Sequence, residues 1–380
     1  MLLIQIIAIL IWCHALSRAK TASAPSRASR NTEPHDPCEH IRAGSRSHRC
    51  TGAGNGFNHW LQAMKPDQST GSSIFLLGVF ALCRGSAYSL TTVALATMSA
   101  GTVTFLRLGI GALALLAWAA FAVRGYRWLL RDWKPILVFA LIGNSLPNGL
   151  ITLGQKTVPS GLASVMMALT PLFAAIVAHM CLENEKLTSR AVLGMASGFG
   201  GVFVIVYTRG TISLDAGMVY GLGALTLASI CIAISIVAVR FFRPANQLGT
   251  AALSLLVAAV SLIPFINLPD FATQMPLDVI YSCVALGIIC TALGWISMLE
   301  LSKRANAAFM SAVNYLIPVV GMTIGAILLN EDVFWTDIPA VILIVGGTML
   351  MRAGGTCSAS GGRVGEAREN ALRSIPARSI

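Results

Sequence analysis

Two stretches decide how the chain is read: GLASVMMALTPLFAAIVAHMCLENE at 161–185 and ANAAFMSAVNYLIPVVGMTIGAILLNE at 305–331. Each opens on small residues, passes a proline inside an apolar run (Pro171, Pro318) and ends on an acidic rim. The prolines lie 147 residues apart, and the same offset superposes Lys156 on Lys303 and Ser164 on Ser311. The register slips by one at the end, where Glu185 rather than Asn184 pairs with Glu331. A self-similar apolar pair this far apart is what a duplicated membrane unit leaves behind.

Outward from these copies, the chain divides into ten apolar segments at 72–92, 99–123, 135–154, 161–182, 190–208, 216–239, 247–267, 278–301, 306–330 and 334–352. Short charged or Pro/Gly-marked breaks separate them. Hydrophobic residues make up 55% of the 380 and charged ones 11%, with a mean hydropathy of +0.73. Soluble domains carry about 25% charged residues. The expected fold class is therefore an all-α integral membrane protein, with ten transmembrane helices grouped as repeats at 72–208 and 216–352.

Lys and Arg in the breaks set an orientation. With both termini cytoplasmic, the inner side holds eleven of them and the outer side only Lys156 and Arg209, a clear positive-inside bias. The outer breaks carry Asp270, Asp278, Glu331, Asp332 and Asp337 instead. Five spans per repeat is an odd number, so the two repeats are expected to insert upside down relative to each other. Such inverted repeats have two nearly equivalent packings, one open to each face, which is the basis of alternating access.

The net charge of +11 then belongs to cytoplasmic loops and tails, and no nucleic-acid partner is implied. The nine cysteines are scattered without C-x-x-C, which argues against a disulfide framework or a metal site. His35, Cys38, His40, His48 and Cys50 fit no standard zinc spacing. Residues 1–70 are read as a disordered extension, with Met64 as the true start, and 353–380 as a disordered Gly/Ser-rich cytoplasmic tail.

Segments 72 to 352 resemble the ten-helix drug/metabolite transporter superfamily, and within it exporters built from two EamA-type repeats. The resemblance rests on FLRLGIGALALL at 105–116, TPLFAAIVAHMCLENEKLT at 170–188, VLGMASGFGGVFVIV at 192–206, IPVVGMTIGAILLNEDV at 317–333 and ILIVGGTML at 342–350. It implies a secondary transporter of the inner or plasma membrane. One departure is Cys83-Arg84-Gly85-Ser86 in the first span, with arginine where the family often has an aromatic residue.

Candidate substrate contacts are polar groups inside the apolar segments. Arg84 lies halfway along the first span, where a charge costs about 2.5–3.5 kcal/mol unless it meets a cavity or a partner. It serves either an anionic substrate group or helix-end carbonyls. Arg107, a third of the way into the second span, resembles the family's arginine there. Asn144 and Asn148 share one face of the third span, as interhelical glue or as substrate contacts. Gln155 continues that stripe at the outer mouth. Asn314 and Tyr315 precede Pro318, and Tyr88 and Trp295 are candidate aromatic walls. Pro171 and Pro318 are candidate kinks. Glu300 is read as a rim ion pair with Arg304 at i+4, and Glu185 and Glu331 as helix-boundary anchors.

No P-loop and no intramembrane catalytic constellation is present, so the chain is not read as an enzyme and no cofactor is implied. A sensor would need a soluble module. The expected partners are the bilayer and a small-molecule substrate such as an amino acid, with or without a coupling ion. The seams Gly194-x-x-x-Gly198, Gly217-x-x-x-Gly221 and Gly321-x-x-x-Gly325 serve either packing within one chain or a homodimer.

Overall fold

In the computed structural model, which describes residues 70–122, 127–181, 188–213, 216–272, 276–304, 313–331 and 337–355, every described regular element is a helix. The extension before Thr70, including Met64, and the tail after Gly355 lie outside the described residues. So does Glu185. The helices overlie all ten apolar segments. The first repeat comprises α1 (Thr70–Leu95), α2 (Ala100–Ala122), α3 (Arg127–Val138), α4 (Leu146–Gly154), α5 (Ser160–Met167), α6 (Thr170–Cys181) and α7 (Ser189–Ser213). The second comprises α8 (Ala216–Phe242), α9 (Gln247–Ser261), the short α10 (Pro269–Ala272), α11 (Leu277–Ala285), α12 (Gly294–Arg304), α13 (Val313–Leu329) and α14 (Asp337–Gly355).

Among the described residues, six helical stretches are long and apolar enough to cross a membrane: Ser72–Leu95, Ala100–Ala122, Arg131–Gly154, Ser160–Cys181, Ala216–Phe242 and Leu277–Arg304. Apolar stretches of α7, α9 and α13 are shorter. Large apolar side chains point outward, with Phe75 70% and Phe121 91% exposed. Water would penalise such a surface, whereas lipid accepts it. The chain is a multi-pass membrane protein.

Two of the long stretches contain a π-helical turn, Phe139–Ser145 between α3 and α4 and Leu286–Leu293 between α11 and α12. They begin 147 residues apart (286 − 139), the offset that separates the prolines. In the first, Pro147 stands two residues past the turn and cannot donate to the carbonyl four residues back, which favours a widened turn. Gly294, also 147 residues on, occupies the corresponding place with weak helical preference of its own.

The packing between repeats is reciprocal. α1 lies against α13, and α8 against α5 and α6. α2 packs on the second π turn, and α9 on the first. The like pairs α2 with α9 and α7 with α14 meet each other. α5 and α13 run antiparallel where they touch: a Cβ on Gly161 would lie 3.4 Å from Met322, and one on Gly325 would lie 2.8 Å from Ser160 Oγ. α2 likewise runs antiparallel to α9 and the 3-10 turn Ile263–Phe265 after it, with Gly109 near Ala259 and Gly101 near Phe265.

All eight residues of α5 are buried, because SGLASVMM has small side chains where α1, α8 and α13 approach. The helix breaks at Ala168 and Leu169, so Pro171 enters as the second residue of α6. Pro318 sits inside α13, which continues unbroken to Leu329. The glycine seams face neighbours in the same chain: Gly198 meets Leu172 and Gly347, Gly221 meets Gly154, and Gly321 meets Ser164.

Candidate functional site

The interior polar groups gather between α1, α2, α4 and the second π turn. α1 carries Arg84 and Tyr88 one turn apart on the same face. A Cβ on Gly85 would stand 2.5 Å from Val320 Cγ1, so glycine lets α1 close on α13 beside this arginine. Arg84 is half-buried. Among the described residues it has no hydrogen bond and no ion pair.

Arg107 is 5% exposed. Its Nε donates to Thr291 Oγ1 at 3.4 Å, and Thr291 Oγ1 donates to the Leu286 carbonyl at 2.8 Å. Arg84, Tyr88 and Cys290 all lie within electrostatic range of its guanidinium. Two cations thus share an interior region, and neither is paired with a described carboxylate. Buried charges ordinarily have partners.

The described acids are at the rims instead. Glu331 Oε1 and Oε2 accept from the Ser160 and Gly161 amides at 2.7 and 3.0 Å, at the start of α5. Asn330, in the left-handed region with φ 50°, ends the helical run and turns Glu331 back toward them. Asp132 Oδ2 accepts from the Asn246 amide at 3.1 Å and from Thr250 Oγ1 at 3.3 Å, where α9 begins. Asp270 Oδ2 accepts from the Ser99 amide at 2.9 Å, where α2 begins. Glu300 pairs with Lys303 at 3.1 Å and with Arg304 Nε at 2.9 Å. Asp278 and Asp337 stand in the first turns of their helices. Glu331, Asp132 and Asp270 satisfy helix N-termini, and Glu300 meets surface cations.

The amides of the third span are bonded both within that span and to neighbouring helices. Asn144 Nδ2 donates to the Phe139 carbonyl at 2.8 Å and to Ser254 Oγ on α9 at 3.3 Å. Asn148 Nδ2 donates to the Asn144 carbonyl at 2.7 Å. Thr152 Oγ1 receives a hydrogen bond from Thr104 of α2 at 3.0 Å. Gln155 Nε2 donates to the Tyr88 carbonyl at 2.8 Å and to Thr92 Oγ1 at 3.3 Å. The Gln155 Oε1 atom is buried without a partner.

Arg84, Tyr88, Arg107 and Gln155 therefore come together around α1, while other candidates stand apart. Trp295 packs against the apolar cluster of α2 and α9. Asn314 is half-buried at the start of α13, and the side chain of Tyr315 lies outside the described residues.

Sequence reasoning passed over Thr291 and Ser254. Yet the 147-residue offset carries Asn144 onto Thr291 and Arg107 onto Ser254. Each repeat thus places a polar side chain in its π turn that bonds the carbonyl five residues back. Each also meets a polar residue of the other repeat's second span.

Comparison with known proteins agrees with this architecture. A solved crystal structure, 20% identical, superposes with a TM-score of 0.54 over 76% of this chain and 99% of its own, a likeness of fold. An uncharacterized transporter of Archaeoglobus fulgidus is 27% identical over 58% of this chain and 78% of its own. The uncharacterized inner membrane transporter YedA of Escherichia coli is 27% identical over 68% and 81%. A probable terminal-alkyne amino-acid exporter of Streptantibioticus cattleyicolor is 26% identical over 58% and 71%. The sequence model of the EamA-like transporter family matches residues 71–207 and 219–353. Two successive matches, laid over two reciprocally packed sets of helices, establish that the chain belongs to the EamA-like transporter family.

Proposed function

We propose that the protein is a secondary active transporter of the inner membrane that exports a small carboxylate-bearing metabolite, such as an amino acid, by alternating access. The observation that carries this reading is the pair Arg84 and Arg107. They are two interior cations with no described carboxylate partner, in a family of transporters. A guanidinium suits a carboxylate because its fork of donors matches the two oxygens. The relative named as an amino-acid exporter supports the substrate class and the direction.

The same proposal takes the chain as ten spans in two inverted repeats, with both termini cytoplasmic. Its supports are the reciprocal packing, the antiparallel contacts of α5 with α13 and of α2 with α9, and the basic residues on one set of breaks. Opening one face and closing the other then amounts to exchanging the packing of one repeat for that of its counterpart. The rim bonds of Asp132, Asp270, Glu300 and Glu331 favour coupling by substrate exchange over proton coupling.

The test is a resistance screen. The full chain is expressed in a host challenged with toxic amino acids and analogues, beside Arg84→Ala at equal membrane abundance. Protection against one carboxylate class is expected. Arg84→Ala should reduce it about tenfold or more, the value of a charge-assisted hydrogen bond. Absence of protection across the panel, with normal insertion, overturns the export reading.

A further inference from the structure

We infer that Gln155 Oε1 accepts an N–H from the substrate's amino group, so that the site takes α-amino acids in preference to plain carboxylates. This rests on the carboxylate reading of Arg84 and Arg107 and deepens it. The observation is a buried acceptor with no donor: Gln155 is 5% exposed, and its Oε1 is the buried side-chain polar atom without a partner among the described residues. Leaving such an atom unmet costs about 1–3 kcal/mol, so an occupant that donates to it gains that much.

The orientation of the amide follows from its neighbours. The Tyr88 carbonyl, 2.8 Å from Nε2, can only accept. Thr92 Oγ1 directs its own hydrogen to that same carbonyl at 3.3 Å, which leaves it an acceptor toward Nε2. Exchanging the amide's oxygen and nitrogen would set two acceptors against Oε1, so the oxygen is the free end. Asn148 repeats the pattern, its NH2 held by the Asn144 carbonyl at 2.7 Å. Gln155 thus offers an acceptor, while Arg84 and Arg107 offer only donors.

The order of the groups along α1 suits a zwitterion. Gln155 is held at Tyr88, one helical turn from Arg84 toward the Leu95 end of α1, an axial rise of about 6 Å. An α-amino acid lying along α1 between these two levels turns its carboxylate to the guanidinium and its ammonium to the amide oxygen. A desamino acid leaves Oε1 unmet, and the site discriminates by that penalty.

The experiment compares transport of an α-amino acid, its desamino analogue and its decarboxylated amine, by the full chain and by Gln155→Met, in proteoliposomes. Wild type should prefer the amino acid over the desamino acid by about tenfold or more in kcat/KM. Gln155→Met should lose that preference, its kcat/KM ratio of amino acid to desamino acid falling toward one. Methionine matches glutamine in length, and the desamino flux reports whether the variant folds. Equal loss for both substrates, or no change for either, overturns the inference and leaves the carboxylate reading standing. Wild-type transport of the amine but of neither acid overturns the carboxylate reading instead. If Gln155→Met yields no folded protein, wild type decides alone: no preference for the amino acid over its desamino analogue overturns the inference.

Discussion

Glu331 holds the first two amides of α5 with its two carboxylate oxygens, and α5 is the buried centre of the molecule. A carboxylate at a helix N-terminus satisfies orphan donors and meets the positive end of the helix dipole. Glu331→Ala should therefore lower stability by about 1–2 kcal/mol, read as a reduced thermal midpoint in detergent. Glu331→Gln should recover part of it, since one amide oxygen can still accept. An unchanged midpoint in Glu331→Ala would show that water replaces the cap. At this scale the sequence was informative about type and poor about partner. Arg84 and Arg107 stand out because charge in an apolar run is costly wherever the chain goes. Asn144 and Glu331 could be recognised as polar and acidic, but their partners Ser254 and Ser160 lie 110 and 171 positions away. Only the fold brings them together.

The two π turns are held against the opposite repeat by small residues. A Cβ on Gly111 of α2 would stand 2.7 Å from Thr291 Cγ2 and 3.1 Å from the Gly287 carbonyl. The equivalent crossing of α9 on the first π turn uses buried Ala258 and Ala140, so both crossings depend on small side chains. Gly111→Ala should cost about 1–3 kcal/mol by overpacking, seen as a lower thermal midpoint. It should also reduce flux, because the displaced Thr291 is the hydroxyl that Arg107 contacts. A full midpoint and full flux would mean that α2 yields without strain. The helices themselves were legible because lipid demands long apolar runs with internally satisfied backbone. The π turns were not, since one widened turn leaves composition and periodicity almost unchanged. The repeat offset nevertheless marks both of them, and the break ahead of Pro171 lacks a counterpart at Pro318 for want of the same backbone interruption.

Over the whole molecule, the placement of charge separates two ways of driving transport. A proton-coupled carrier needs a titratable group that both faces reach and that changes the substrate site when protonated. Asp270, Glu331 and Asp132 are instead bonded at helix starts and Glu300 to rim cations, and none of them pairs with Arg84 or Arg107. Asp270 shows how such a cap titrates. Burial pushes its carboxyl up, but the Ser99 amide and the Thr102, Ser99 and Asn267 side chains together leave it below the ordinary carboxylate value. A lowered folded-state value stabilises the fold above the unfolded value of about 3.9, and that stability fades as pH falls through the folded one. The Asp270 cap is thus fully formed from mildly acidic to neutral pH and offers no proton exchange there. Counterflow of labelled substrate in proteoliposomes should accordingly continue when a protonophore collapses the pH gradient. Between about pH 5.5 and 7.5 its rate should vary less than twofold for a substrate whose own groups do not titrate in that window. A rate that instead tracks an imposed pH gradient, with uphill accumulation abolished by the protonophore, would contradict exchange and require a proton carrier other than these rim acids.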